Sequence, residues 1–151
     1  MVGWATGVFR FVLLTPHGKL LDCRAGSVVV PGHDGQIGVL RNHAPLLCKL
    51  GLGLVRVEEI AGRKNACFVV NGGFARVSEN HMAVLAYDVT TFEEMEEGEA
   101  QALLAQARDT IAAGSRGRAD PTEVQKARLI LRMAKYTGVE PVPATDEPAP
   151  A

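Results

Sequence analysis

Up to Asp88 the chain reads as short apolar runs rich in Val, Leu and Phe, cut at short intervals by turn-forming residues. Pro16-His17-Gly18, Pro31-Gly32, Asp34-Gly35, Ala61-Gly62 and Asn71-Gly72 supply the cuts. Glycine reaches the positive φ of tight turns and proline fixes φ and stops a strand, so this spacing predicts an all-β sandwich or barrel. Some runs alternate: Val55 and Val57 are expected to face inward, Arg56 and Glu58 outward. Others, Ser27 to Val30 and Met82 to Tyr87, are apolar on both faces. Such a strand is covered on one side by a sheet and on the other by a helix or partner.

Beyond Asp88 the turn glycines thin out and helix formers take over. Thr91 followed by Glu94 matches a capping box, and Glu93, Glu94, Glu96 and Glu97 put negative charge at the positive end of the helix dipole. Ala100, Leu103, Leu104, Ala107 and Ile111 recur at helical spacing, and Gly114-Ser115-Arg116-Gly117 ends the helix. A second helix is expected from Asp120-Pro121-Thr122-Glu123, with Asp120 as N-cap and Pro121 at the first helical position. Val124, Ala127, Leu131 and Ala134 form its narrow apolar stripe, and Gly138 stops it. The predicted fold is therefore α+β: an N-terminal antiparallel β-sandwich (1–88), an α-helical hairpin (89–138) and a disordered Pro-rich tail (139–151). Alanine-rich contact faces bury little area, so the hairpin is expected to be weakly held and able to open.

Composition narrows the function. The 151 residues carry a formal net charge of −1, which gives no basic field for nucleic acid. No run approaches the ~20 apolar residues that cross a bilayer. The apolar N-terminal stretch lacks a basic flank and is broken by Arg10, so it is not read as a signal peptide. Cys23, Cys48 and Cys67 show no ligand or redox spacing and are expected to be reduced, buried packing residues. His17, His33, His43 and His81 lie at predicted turns or strand ends without ligand spacing. Residues 32–38 are glycine-rich but lack the lysine and hydroxyl of a phosphate loop, and no serine sits in a nucleophile elbow. No catalytic residue, metal or cofactor is expected.

Order and spacing are more specific than any of these. Pro16-x-Gly18, Ala25-Gly26-Ser27-Val28-Val29-Val30-Pro31-Gly32, Gly35-Gln36-Ile37-Gly38-Val39-Leu40 and His43-Ala44-Pro45-Leu46-Leu47 occur in sequence. Leu50-Gly51, Gly72-Gly73-Phe74-Ala75-Arg76-Val77 and Val84-Leu85-Ala86 follow. Over roughly residues 9 to 138 this series resembles the epsilon-subunit family of F-type ATP synthases. The resemblance implies a non-catalytic rotor and regulatory subunit. Its sandwich would pack on the gamma subunit and rest on the membrane c-ring, at the cytoplasmic face of a bacterial plasma membrane, held there by the complex alone. The loop Gly35 to His43 would lie at that foot, making Gln36, Arg41 and His43 the candidate gamma and c-ring contacts. Gln36 stands where the family often has an acid, so ring contact would depend less on salt.

By the same resemblance the hairpin either folds beside the sandwich or extends into the catalytic α/β head and blocks ATP hydrolysis. Lys126, Arg128, Arg132 and Lys135 of the second helix would then face an acidic loop of the catalytic β subunit. Arg128 and Arg132, four apart, share a helix face. Some family members bind ATP through an aliphatic residue, Asp, two variable residues and Arg-Ala in the first helix. Here the corresponding run is Met95-Glu96-Glu97-Gly98-Glu99-Ala100, in which Glu99 replaces the arginine and would repel phosphate. Two other readings stand beside the rotor subunit: an ATP-sensing binding module, which Glu99 opposes, and an unrelated β-sandwich adaptor, which leaves the ordered motifs unaccounted for.

Overall fold

Two strands of 13 residues each, β5 (Leu46–Glu58) and β6 (Ala66–Ser78), organise the first part of the chain. They pair antiparallel along their whole length, from Leu46 opposite Val77 to Val57 opposite Ala66. The computed structural model describes residues 7–93 and 95–138. The tail 139–151, the first six residues and Glu94 lie outside the described residues, and with them the expectations placed there.

Along β5 the core-facing side chains are Leu46, Cys48 and Leu50 before Gly51, then Val55 and Val57 after Gly53. Along β6 they are Ala66, Phe68 and Val70 before Asn71, then Ala75 and Val77 after Gly73. Side chains alternate with period two in a strand, so this change from even to odd positions means that both strands bend and serve two layers. The bend fixes its own glycines. Gly72 and Gly73 have φ of 80° and 135°, and a Cβ on Gly73 would lie 2.9 Å from Ala86 Cα and nearer still to the Leu85 carbonyl oxygen. Asn71-Gly72, expected as a turn, is thus the corner inside β6; Asn71 pairs with Leu52 and Gly73 with Leu50 in one register, so no chain reversal occurs.

The remaining strands are β1 (Phe9–Thr15), β2 (Gly18–Ala25), β3 (Ser27–Gly32), β4 (Gly35–Leu40), β7 (His81–Ala86) and β8 (Val89–Thr90). Their order is β2-β1-β7-β6-β5-β3-β4, with β8 also on β6. All pairings are antiparallel except β1 with β7, which is parallel. Phe9, Phe11 and Leu13 of β1, Val28 and Val30 of β3, Phe68 of β6, and Met82 and Val84 of β7 fill the interior. Each such side chain contributes about 1.5–3 kcal/mol on burial. Cys67 is buried, whereas Cys23 and Cys48 are half-buried against the core, and none of the three forms a disulfide.

The first compact unit runs to Phe92, beyond the expected boundary at 88, because β8 still belongs to the sheet. The second unit holds α1 (Glu97–Ser115) and α2 (Pro121–Thr137), which pack on one another. α1 starts later than the Thr91 box predicted: the Glu96 N–H donates to the Glu99 carboxylate at 3.3 Å, so the local cap is Glu96-to-Glu99. α2 begins and ends where expected. Asp120 accepts from the Thr122 N–H at 2.7 Å, Pro121 opens the helix, and Gly138 closes it at φ 74°. Its buried stripe is wider than the alanine-rich one predicted. Leu129, Ile130 and Met133 are buried beside Val124, Ala127 and Ala134, while Leu131 is half-buried. α1 does match the small-residue reading, burying Ala100 and Ala107 around Leu104.

Candidate functional site

Gln36 is exposed at the start of β4, one residue past the β3–β4 turn, and is paired in register with Pro31. Beside it lies an open cleft of about 440 Å³ whose rim includes His33, Asp34, Leu47, Cys48 and Lys49. The turn is held to β5 by the His33 N–H, which donates to the Lys49 carbonyl at 2.9 Å. Burial pushes the Cys48 thiol up from its ordinary value, opposed by a hydrogen bond with the Ala75 backbone, so it is a weak nucleophile at neutral pH.

Arg41 and His43 are elsewhere. Residues 35–40 form a strand and not the loop expected over 35–43, because Ile37 and Val39 turn inward while Gln36, Gly38 and Leu40 are exposed. The five residue steps from Gln36 to Arg41 span about 17 Å at strand rise. The three candidate contacts therefore divide between opposite ends of the sandwich. Arg41 is exposed and lies against Gly7, where a Cβ would collide with its side chain. His43 is half-buried, and its Nδ1 lies 2.6 Å from the Ala44 carbonyl oxygen.

The segment between them is pinned from a distance in sequence. Asn42 has a left-handed φ of 65°, and its N–H donates to the Asn80 side-chain oxygen at 2.6 Å. The Asn80 amide returns a bond to the Asn42 side-chain oxygen at 3.1 Å, and its backbone carbonyl accepts from the Arg10 N–H at 3.0 Å. On the neighbouring edge Arg10 grips Asp22 with both Nε and Nη2, at 3.1 and 2.9 Å, and Lys19 adds a bond at 3.0 Å. The Arg10 hydrogen bonds first, then those of Lys19, hold the Asp22 carboxyl well below the usual carboxylate range.

One surface was missed as a set of residues, though not as a pattern. Phe74 and Leu85, cross-strand neighbours on β6 and β7, are each roughly two-fifths exposed, and Tyr87 meets Phe74 edge-on with ring centroids 6.2 Å apart. Leu47, at 71% exposure, stands on the neighbouring strand and also edges the cleft beside Gln36. Apolar side chains left bare together on a sheet are candidates for cover by a partner. Their trace in the sequence is the run Met82 to Tyr87, apolar on both faces.

On α2, Arg128, Arg132 and Lys135 are exposed and fall within about 60° of one another at 100° per residue. Lys126 does not join them: it is half-buried and about 160° away from Arg128 around the helix. On α1, Glu96, Glu97, Gly98 and Glu99 are all exposed, and the Glu99 carboxylate is engaged by the Glu96 backbone. Among the described residues no three His, Cys, Asp or Glu side chains gather to hold a metal, and no helix is long and apolar enough to cross a membrane.

Comparison with known proteins agrees with this architecture. Residues 8–91 match the sequence profile described as "ATP synthase, Delta/Epsilon chain, beta-sandwich domain". The chain is 33% identical over 139 residues to the chloroplastic ATP synthase epsilon chain of Pisum sativum, covering 91% of this chain and 95% of that one. It is 34% identical over 123 residues to the ATP synthase epsilon chain of Synechococcus sp. (strain JA-2-3B'a(2-13)), covering 82% and 85%. A chain in the cryo-EM structure of Euglena gracilis mitochondrial ATP synthase, OSCP/F1/c-ring in rotational state 1, shares the fold at a TM-score of 0.52 and 20% identity over 87% of this chain and 79% of that one.

Proposed function

The chain belongs to the epsilon-chain family of ATP synthase, and on that premise we propose that it is a non-catalytic central-stalk subunit that couples rotation through its sandwich and restrains ATP hydrolysis through its hairpin. Its partners are the gamma subunit, the c-ring and the catalytic α/β head of a proton-translocating enzyme. It sits peripherally on the cytoplasmic face of a bacterial plasma membrane, carried there by the complex. The observation that carries this reading is the division of the sandwich into two ends joined by an apolar face. Gln36 and its cleft lie at one end, Arg41 and His43 at the other, and Leu47, Phe74, Leu85 and Tyr87 are bare on the sheet. Such a body can touch the ring at one end and gamma along its side and far end.

The hairpin suits a switch because α1 and α2 form a compact unit of their own, and a switch requires two states within a few kcal/mol. Its exposed face of Arg128, Arg132 and Lys135 fits an acidic partner. The test compares hydrolysis by the cognate catalytic head carrying the full chain or a version ending at Phe92, which retains β8. Both are expected to co-elute with the head, and truncation is expected to raise hydrolysis severalfold. Equal rates with both bound would leave the sandwich a coupling wedge and remove the inhibitory role. Failure of either to bind would overturn the assignment to the stalk.

A further inference from the structure

His43 carries more chemical information than its position alone. A carbonyl oxygen can only accept, so the 2.6 Å contact between His43 Nδ1 and the Ala44 oxygen requires the proton on Nδ1. In the neutral ring this leaves Nε2 as a lone-pair acceptor, and among the described residues nothing occupies it. The residue as a whole is half-buried. The backbone before it is fixed: the His43 N–H donates to the Leu40 carbonyl at 3.2 Å, and Asn42 is locked by the reciprocal bonds with Asn80.

We propose that Asn42 and Asn80 form a clamp that presents His43 with its Nε2 as a hydrogen-bond acceptor for a donor on the gamma subunit. This rests on the reading that this end of the sandwich meets gamma. The donor is an N–H or O–H group: a lysine, an arginine, a hydroxyl or a backbone amide. A partner carboxylate or carbonyl would set two acceptors against each other across the neutral ring, and is accommodated only by a ring that takes up a second proton. The clamp joins three segments that are remote in sequence. Asn80 receives the Arg10 N–H from β1 and the Asn42 N–H from the β4–β5 connection, and itself belongs to the β6–β7 turn. Asn42 is suited to its place because asparagine tolerates the left-handed backbone while offering a side chain to bind. Asn42 and Asn80 are positioning residues; His43 makes the contact.

The tautomer is read directly by nitrogen NMR of the full chain at neutral pH. A ring protonated on Nδ1 is expected, and one protonated on Nε2 overturns the proposal. Asn80→Ala is expected to abolish that single-tautomer signature while thermal melting shows the chain folded; an unchanged signature overturns the clamp. Binding to isolated gamma subunit tests the acceptor. His43→Asn keeps a donor near Nδ1 but lacks the acceptor, and is expected to weaken binding about tenfold, the scale of one well-formed hydrogen bond. His43→Gln, which places an amide oxygen near Nε2, is expected to recover most of that loss. Equal affinity for both variants and the native chain overturns the acceptor role. If the native chain does not bind gamma at all, the assignment to the stalk fails, while the tautomer and the Asn80→Ala spectrum still decide the clamp.

Discussion

Gly114 of α1 and Val124 of α2 meet with no room for a side chain between them: a Cβ on Gly114 would stand 3.4 Å from Val124 Cγ1 and closer still to Cγ2. This contact lies next to the connection between the helices, so it sets how tightly the hairpin closes at that end. Gly114→Ala gains up to about 1 kcal/mol of helix propensity. It also overpacks a β-branched neighbour that is stiff at χ1, at a cost of about 1–3 kcal/mol. The net expectation is a hairpin destabilised by up to about 2 kcal/mol. Val124→Ala makes space for the new methyl, so the double variant is expected to be more stable than the two single changes added together. Hydrogen exchange of the α1 and α2 amides measures this, and strictly additive effects would dismiss the contact.

Asp22 binds two cations on the outer edge of the sheet, and its carboxyl is held down chiefly by the Arg10 hydrogen bonds. A group whose pKa is lower folded than unfolded contributes stability above its unfolded value, about 3.9. That contribution is lost as pH falls from there through the depressed folded value. The Asp22 carboxylate is therefore expected to remain ionised below pH 3 in an NMR titration. Arg10→Ala should move its midpoint back toward the ordinary range, further than Lys19→Ala does. Because the carboxylate is solvent-exposed, added salt should shrink the difference. A midpoint unchanged by Arg10→Ala would show that the bidentate grip is not maintained in solution.

Much of this architecture was legible because local and global signals agree. Val55 and Val57 alternate with Arg56 and Glu58, and Asp120-Pro121 and Gly138 bracket α2, as read from the chain. What escaped depends on the third dimension. Asn71-Gly72 carries a turn's residues, yet the pairing of β6 with β5 continues through it, and only the shift of buried positions reveals a corner. Glu96 capped by Glu99 outcompeted the more familiar Thr91 pattern, since glutamates beside the first turn satisfy the same backbone groups. Lys126 shares α2 with the three other basic residues that the resemblance singles out, and helix geometry separates it from them. Asn42 and Asn80 are 38 residues apart and leave no local trace.

Separation of the basic residues around α2 makes their roles testable one by one. Arg128, Arg132 and Lys135 share an exposed face, whereas Lys126 is half-buried on the other side. If the hairpin restrains hydrolysis by meeting an acidic surface of the catalytic head, Arg128→Ala with Arg132→Ala should raise hydrolysis by the assembled enzyme severalfold. Lys135→Ala should add a smaller increase, because it lies at the end of the helix. Lys126→Ala should leave hydrolysis within about twofold while lowering hairpin stability, since its aliphatic stem is partly covered. Relief of inhibition by Lys126→Ala alone would reverse the assignment of the contact face.

Nucleotide binding by the hairpin is opposed by the same residue that caps α1. By the family resemblance Glu99 takes the place of an arginine in the ATP-binding motif; in the structure its carboxylate accepts the Glu96 N–H, and Glu96 and Glu97 are exposed beside it. A phosphate approaching this turn meets three carboxylates, and the helix N-terminus is already shielded by negative charge. Isothermal titration of the full chain with ATP is expected to show no binding in the micromolar range. Glu99→Arg reverses the local charge by two but removes the cap, so it should start the helix less firmly and gain at most weak, salt-sensitive affinity. Glu99→Gln separates the effects, because it keeps a side-chain oxygen for the Glu96 N–H while removing charge. Micromolar binding by the native chain would restore the ATP-sensing reading and make the acidic turn irrelevant to it.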